Sequence, residues 1–198
     1  MNSRLFAALS APVLAVSVSA CGINSVPASQ EVAKAKWADV QAAYQRRANL
    51  IPNLVATVKG AAASEGKILT DVTEARANAT RINVTGDQLS DPAAMARFNE
   101  AQARLSASII PLQRLQEQYP QLQSQANFQT LMSQLEGTEN RINIAIRDYN
   151  EAVREYNTRI RTFPDMIGAK LVHGAKPLVP YEAVSPNADV APTVDFGK

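Results

Sequence analysis

The chain carries one thiol, Cys21, and one imidazole, His173. A single copy of each leaves no disulfide framework and no His/Cys zinc set, so no metal and no other cofactor is expected. His173 sits in KLVHGAK without an acid or thiol nearby. That is the setting of a packing or surface residue rather than of a proton-transfer group. Nucleophile signatures and phosphate loops are absent from the sequence, and no paired carboxylates beside a base suggest acid/base work. The expectation is therefore a non-enzyme. What does recur is polar. Asn143, Asn150 and Asn157 stand seven apart, each one residue after Ile142, Tyr149 or Tyr156. On a helix this puts them about 100° round from that stripe. They form either a ladder on a groove that takes peptide or sugar, or hydrogen bonds to a neighbouring helix or the tail that set register. The two tyrosine hydroxyls need partners if buried, so Tyr and Asn can share one network. A second constellation is Arg46, Arg47, Glu136 and Glu139. If the first and last helices run antiparallel, Arg47 pairs with Glu139 at the core edge; the alternative is two solvated charges. Arg147, Arg154 and Arg161 are also seven apart, but Asp148, Glu151 and Glu155 interleave with them, as on a solvated mixed-charge face.

Cys21 has the most informative setting. MNSR is a short positive opening, and LFAALSAPVLAVSV (5–18) is an apolar run with Pro12 inside it. Fourteen residues are short for a bilayer span, which needs roughly 20. This is the pattern of a signal peptide, residues 1–20. Cleavage after Ala20 would release a soluble secreted protein. Alternatively, Val18-Ser19-Ala20-Cys21 resembles a bacterial lipobox, in which the cysteine thiol is diacylated and becomes the mature N-terminus. An uncleaved signal anchor is a third reading. The only cysteine stands at the one place lipidation needs it, so the lipid anchor is the favoured expectation. Gly22 follows, and by resemblance to Gram-negative lipoproteins this favours the outer membrane. Acyl chains contribute about 0.8 kcal/mol per buried CH₂, so three would hold the chain stably. Residues 21–30 then read as a short polar tether.

These residues must be carried by helices. Only 8 of 198 residues are glycine, and alanine and glutamine are abundant. The formal charge is +2, and +1 once Arg4 and the rest of the first twenty residues are set aside (19 basic, 18 acidic). A near-neutral body is no footprint for nucleic acid. Trp37, Tyr44, Ile51 and Val58 recur every seven residues, with Val40 and Leu54 between them. Pro52 predicts a kink near 48–52. KGAAASEGK (59–67) reads as a joint where Ser64 could cap a second helix over 65–82, or where one long helix bends. NVTGDQLS (83–90) is a loop, and Asp91-Pro92 is a helix start. A third helix with Met95, Phe98, Leu105, Ile109 and Leu112 inward ends at Tyr119-Pro120, with a kink at Pro111. The last helix, about 124–162, has the cleanest ladder: Phe128, Leu135, Ile142, Tyr149, Tyr156 and Phe163. Gly137 marks either close approach of another helix or a plain cost of about 1 kcal/mol. MIGAKLV (166–172) predicts a short amphipathic turn, and residues 173–198 an extended or mobile tail.

Several strings resemble the LemA family: RRANLIPNLVATVKG (46–60), Glu74-Ala75-Arg76, Tyr119-Pro120-x-Leu122 with Asn127-Phe128, LEGTENRI (135–142), DYNEAVREYNTRIRTFP (148–164) and the closing PTVDF. The resemblance covers roughly 30–172 plus the extreme C-terminus. It implies a membrane-tethered helical domain outside the cytoplasm and no established enzymatic activity. Many members carry an N-terminal transmembrane helix, whereas this chain has the lipobox-like segment. Pro111 also departs from the family pattern.

The resulting expectation is an all-α protein: an antiparallel four-helix up-down bundle over 31–172 with a kinked first helix and an extended C-terminal tail. Its expected role is binding or scaffolding in the bacterial cell envelope, on the extracytoplasmic side, with an envelope protein or polymer as partner. The competing expectations are an enzyme acting on envelope polymer and a self-assembling coiled-coil scaffold.

Overall fold

The apolar stripes every three and four residues form helices wherever they were expected. A computed structural model describes the backbone of residues 3–182 and the side chains of residues 24–182 apart from 61 and 123. The elements are α1 (Ser3–Ala61), α2 (Gly66–Arg81), a 3₁₀ turn (Gly86–Ser90), α3 (Pro92–Gln118), α4 (Pro120–Gln123), α5 (Ala126–Arg159) and α6 (Asp165–Leu171). No strand occurs among the described residues. Among the residues with described side chains, no helix is long and apolar enough to cross a membrane.

The chain packs as two compact units. The first holds the residues up to Tyr44, Thr85–Pro92 and Thr138–Pro180. In it α1 buries Val26, Ala33, Trp37 and Val40, and α5 buries Ile142, Tyr149, Val153 and Tyr156. The Trp37 and Tyr149 rings meet at 5.0 Å between centroids, tilted by 56°. That geometry lets a ring edge meet a ring face and adds about 1 kcal/mol to the burial of two large side chains. Lys36 Nζ lies 3.7 Å from Asp148 on the same pair of helices. Leu89 of the 3₁₀ turn is fully buried, and its carbonyl accepts a 2.8 Å bond from the Val179 N–H. The turn, expected only as a loop, is held by Gln88 Oε1, which accepts from the Thr85 N–H at 3.0 Å and from its hydroxyl at 3.3 Å.

The second unit holds Gln45–Val84, Ala93–Gly137 and the chain from Tyr181. Its core gathers Ile51, Leu54 and Val58 of α1, Leu69 and Val72 of α2, Leu105, Ile109 and Leu112 of α3, and Phe128 and Leu135 of α5. Each such side chain removed from water stabilises by roughly 1.5–3 kcal/mol before entropy is counted.

Three expectations change and two open alternatives are resolved. Residues 24–30, read as a polar tether, belong to α1 and bury Val26 and Ser29. The apolar period of α1 extends back through Ala33 to Val26, so this stretch is part of the packed helix. Ser64 does not cap α2. Glu65 holds the N-cap position without a side-chain cap bond, and Ser64 Oγ instead meets Tyr119 Oη at 3.0 Å. The chain does break there, between Ala61 and Gly66, rather than bending as one helix. Phe163, the last rung of the ladder, is 71% exposed. Regular α-helix ends at Arg159, and turn bonds from Arg161 to Thr158 and Thr162 to Arg159 take the chain out of heptad phase before Phe163 is reached. Gly137 has nothing within 4 Å of where a Cβ would stand, so no neighbouring backbone approaches it closely. PTVDF lies outside the described residues.

Candidate functional site

Among the expected site residues, the asparagine row divides. Asn143 is exposed, while Asn150 and Asn157 are half-buried. Asn157 Nδ2 donates to the Leu178 carbonyl at 2.8 Å, and its Oδ1 accepts from the Leu178 N–H at 2.8 Å. Tyr149 Oη donates to the Val179 carbonyl at 2.8 Å, and Tyr156 Oη to the Lys176 carbonyl at 3.2 Å. The start of the tail, 176–179, therefore lies along α5 as an extended strand of backbone. Side chains of α5 satisfy the Lys176, Leu178 and Val179 carbonyls and the Leu178 N–H, while the Val179 N–H bonds the Leu89 carbonyl. Burial holds the Tyr149 hydroxyl pKa well above the ordinary tyrosine value. Burial also raises that of Tyr156, against the opposing charge of Lys34. Neither hydroxyl is a ready acid at neutral pH.

Arg47 is buried in the second unit, 1% exposed, and hydrogen bonds tie it to α3. Its Nη1 donates to Ser106 Oγ at 2.7 Å, and its Nη2 to Gln102 Oε1 at 2.8 Å and the Gln102 carbonyl at 3.2 Å. Gln102 Nε2 in turn reaches the Ala79 carbonyl of α2 at 3.4 Å, and Arg76 Nε of α2 returns a 2.7 Å bond to Ala48 O of α1. A guanidinium can sit in such a place because its donors find oxygens in a fork geometry that an ammonium cannot match. Glu139 is half-buried on α5 in the first unit, and Arg46 and Glu136 are exposed. Sequence reasoning missed Gln102. Its signal was there: it interrupts the apolar row Met95, Gln102, Ile109 at heptad spacing.

The joint after α1 is closed by three side chains. Tyr119 Oη donates to Glu65 Oε1 at 2.9 Å, which leaves Ser64 Oγ as donor to Tyr119. A serine that gives its proton to a phenol is not activated as a nucleophile. His173 is exposed, as are Arg147, Arg154 and Arg161. Arg147 and Arg154 lie within 3.6 Å of Asp148 and Glu151 respectively, which is the solvated mixed-charge face expected. No group of residues suited to a metal occurs among those described. Cys21 lies within α1, but its side chain is outside the described residues.

One concavity was not foreseen. In the second unit a groove of about 480 Å³ runs between α2 and α3. Arg81, Arg97 and Arg104 line it together with Asp71, Glu74 and Glu100. Ala75, Asn78, Ile82 and Ala101 complete the wall. Arg104 is taken by Glu100 at 2.6 Å and Asp71 by Lys67 at 2.7 Å. Arg81, Arg97 and Glu74 have no ion-pair partner among the described residues. The groove thus offers Arg81 and Arg97 outside any ion pair among the described residues, and Glu74 within the field of Lys67, beside a small apolar strip. That set can bind a chain carrying both signs of charge, and it holds no nucleophile or proton-transfer pair.

The described residues are all-helical, and the second unit carries a groove of mixed charge between α2 and α3. Residues 36–196 match the LemA family model, and the chain belongs to the LemA family. No curated protein matches it.

Proposed function

We propose that this chain is a lipid-anchored, extracytoplasmic helical domain that binds a partner, protein or polymer, in the bacterial cell envelope. It acts by presentation and not by catalysis. The thiol of Cys21 takes the acyl chains, on the outer membrane in a Gram-negative cell, and the helical body holds a surface out to the partner. In the same proposal the helices form an antiparallel four-helix up-down arrangement with a kink at Pro52. The observation that carries the binding reading is the groove between α2 and α3, lined by Arg81 and Arg97, which stand outside any ion pair among the described residues. Charges left unpaired beside apolar wall are what a partner carrying complementary charge recognises. Family membership supports an envelope-associated helical protein.

Two measurements test the proposal. A photo-crosslinking residue at Asn78, in the membrane-anchored full chain in cells, should give a discrete adduct that Arg81→Glu with Arg97→Glu abolishes. The same residue at exposed Ile144 should give none. No adduct at Asn78, or one indifferent to the charge reversals, overturns the binding reading. Mass spectrometry of the mature N-terminus should find Cys21 diacylated; an unmodified Cys21 on a released product removes the anchor.

A further inference from the structure

The first unit carries an apolar strip that nothing in the described residues covers. Phe163 is 71% exposed, Leu171 82%, Val172 59% and Ile167 43%. Ile167 and Leu171 lie one turn apart on α6, on the same face. The opposite side of that short helix is buried through Gly168 and Ala169, so α6 is pressed down by its small residues and shows its large ones outward. Arg161 and Lys170 adjoin these residues along the chain and Lys176 follows four residues after Val172; all three are exposed, and none has a carboxylate partner among the described residues. The one acid of α6, Asp165, is occupied by Arg159 at 3.6 Å. An apolar strip with exposed cations close to it along the chain is complementary to one kind of surface above others, the headgroup boundary of an anionic bilayer.

Position within the unit favours the same occupant. Trp37 packs on Tyr149 in the first unit, whereas Ile51 and Val58 share a core with Phe128 and Leu135 in the second. Lower numbers on α1 thus meet higher numbers on α5, and the two helices run antiparallel. The C-terminal end of α5, with α6 after it, lies beside the part of α1 nearest the apolar segment 5–18. From residue 18 to Val26 along a helix is about 12 Å. Whatever holds that segment or Cys21 at a membrane brings α6 to the membrane's surface.

We propose that Phe163, Ile167 and Leu171 form a second membrane contact, an interfacial strip that seats the first unit on an anionic lipid surface with Arg161, Lys170 and Lys176 at the headgroups. The inference rests on the membrane anchoring proposed above. It adds that the body touches the bilayer rather than standing away from it on a tether.

The test uses the full chain in vesicles of phosphatidylglycerol and phosphatidylethanolamine with brominated acyl chains. Leu171→Trp replaces a side chain that is 82% exposed, so the fold tolerates it. Its emission, above that of native Trp37, should fall at least twofold against unbrominated vesicles. Ile144→Trp should show no such fall, because residue 144 lies about 22 Å up α5 from Arg159. Lys170→Glu with Arg161→Glu should relieve the quenching at Leu171→Trp. Flotation of the same samples separates the two ideas. Protein that floats and is quenched supports the strip. Protein that floats without quenching at residue 171 overturns the strip and leaves the anchor. Protein that does not float overturns both.

Discussion

Asn157 and Leu178 exchange two hydrogen bonds, one in each direction, both at 2.8 Å. A carboxamide pairs with the backbone of the tail as a neighbouring strand would. The replacement that removes both groups, Asn157→Ala, leaves a backbone N–H and a C=O unsatisfied. The expected loss is about 1–3 kcal/mol, read as a lowered midpoint in urea. Asn157→Asp keeps the acceptor and loses the donor, and sets a charge against the Leu178 carbonyl. Folding raises the pKa of that new carboxyl, so its penalty is present near pH 7. The gap from the parent should narrow as pH falls toward 4. An equal gap at both pH values argues that Asn157 does not face the tail backbone.

Tyr149 donates to Val179 from a buried position, and burial keeps its proton on well above the ordinary pKa. In the unfolded chain the phenol ionises near pH 10. Above that pH the unfolded state binds fewer protons than the folded state. The stability held below pH 10 is then lost as pH rises toward the folded value. Thermal midpoints between pH 9 and pH 11 should fall, with Tyr156 adding to the slope in the same sense. In Tyr149→Phe the alkaline fall should be shallower, while stability at pH 7 drops by about 1 kcal/mol for the lost bond. An unchanged alkaline slope in that variant would sink the assignment.

Arg47 holds Ser106 and Gln102 together in the second unit. Arg47→Lys keeps the charge but cannot fork to both oxygens, and should cost about 2–3 kcal/mol. Arg47→Leu should cost at least as much, since Gln102 Oε1 is then buried without its donor. Adding Gln102→Leu should recover part of that loss, because two apolar side chains replace a broken polar pair. A double-mutant cycle measures this: strict additivity of the two single losses would show that no network links them.

Gly137 lies in the interior of α5 with open space around the missing Cβ. Gly137→Ala should stabilise the protein by about 0.5–1 kcal/mol through the unfolded chain's entropy. A destabilised Gly137→Ala would mean that something does approach that face.

The extent of the helices was legible because their apolar residues recur at three and four. Burial of Trp37, Val40, Leu105, Phe128 and Tyr149 follows from that period alone. The end of the last ladder was not legible. Phe163 keeps the heptad number but not the heptad geometry, since the helix gives way to turns after Arg159. The polar sites were half legible. Asn157 and the tyrosines announced a need for partners, and a tail was one of the partners considered. Arg47 was visible as a cation near a core stripe, but Gln102 and Ser106, which receive it, are 55 and 59 residues away.

The sequence by itself determined which residues turn inward on each helix, because side-chain direction along a helix is a matter of counting. It also determined family membership, and it singled out Cys21 as the one thiol available. Only the tertiary structure decided what the inward and edge-lying polar groups meet, and which large apolar groups find nothing. Asn157 meets a tail backbone 21 residues on, Arg47 a carboxamide on another helix, and Phe163 and Leu171 meet no other part of the described chain that covers them. Hydrogen bonds and contact are short-ranged. Which partner falls within their reach is set by how the chain turns back on itself, and no local period encodes that.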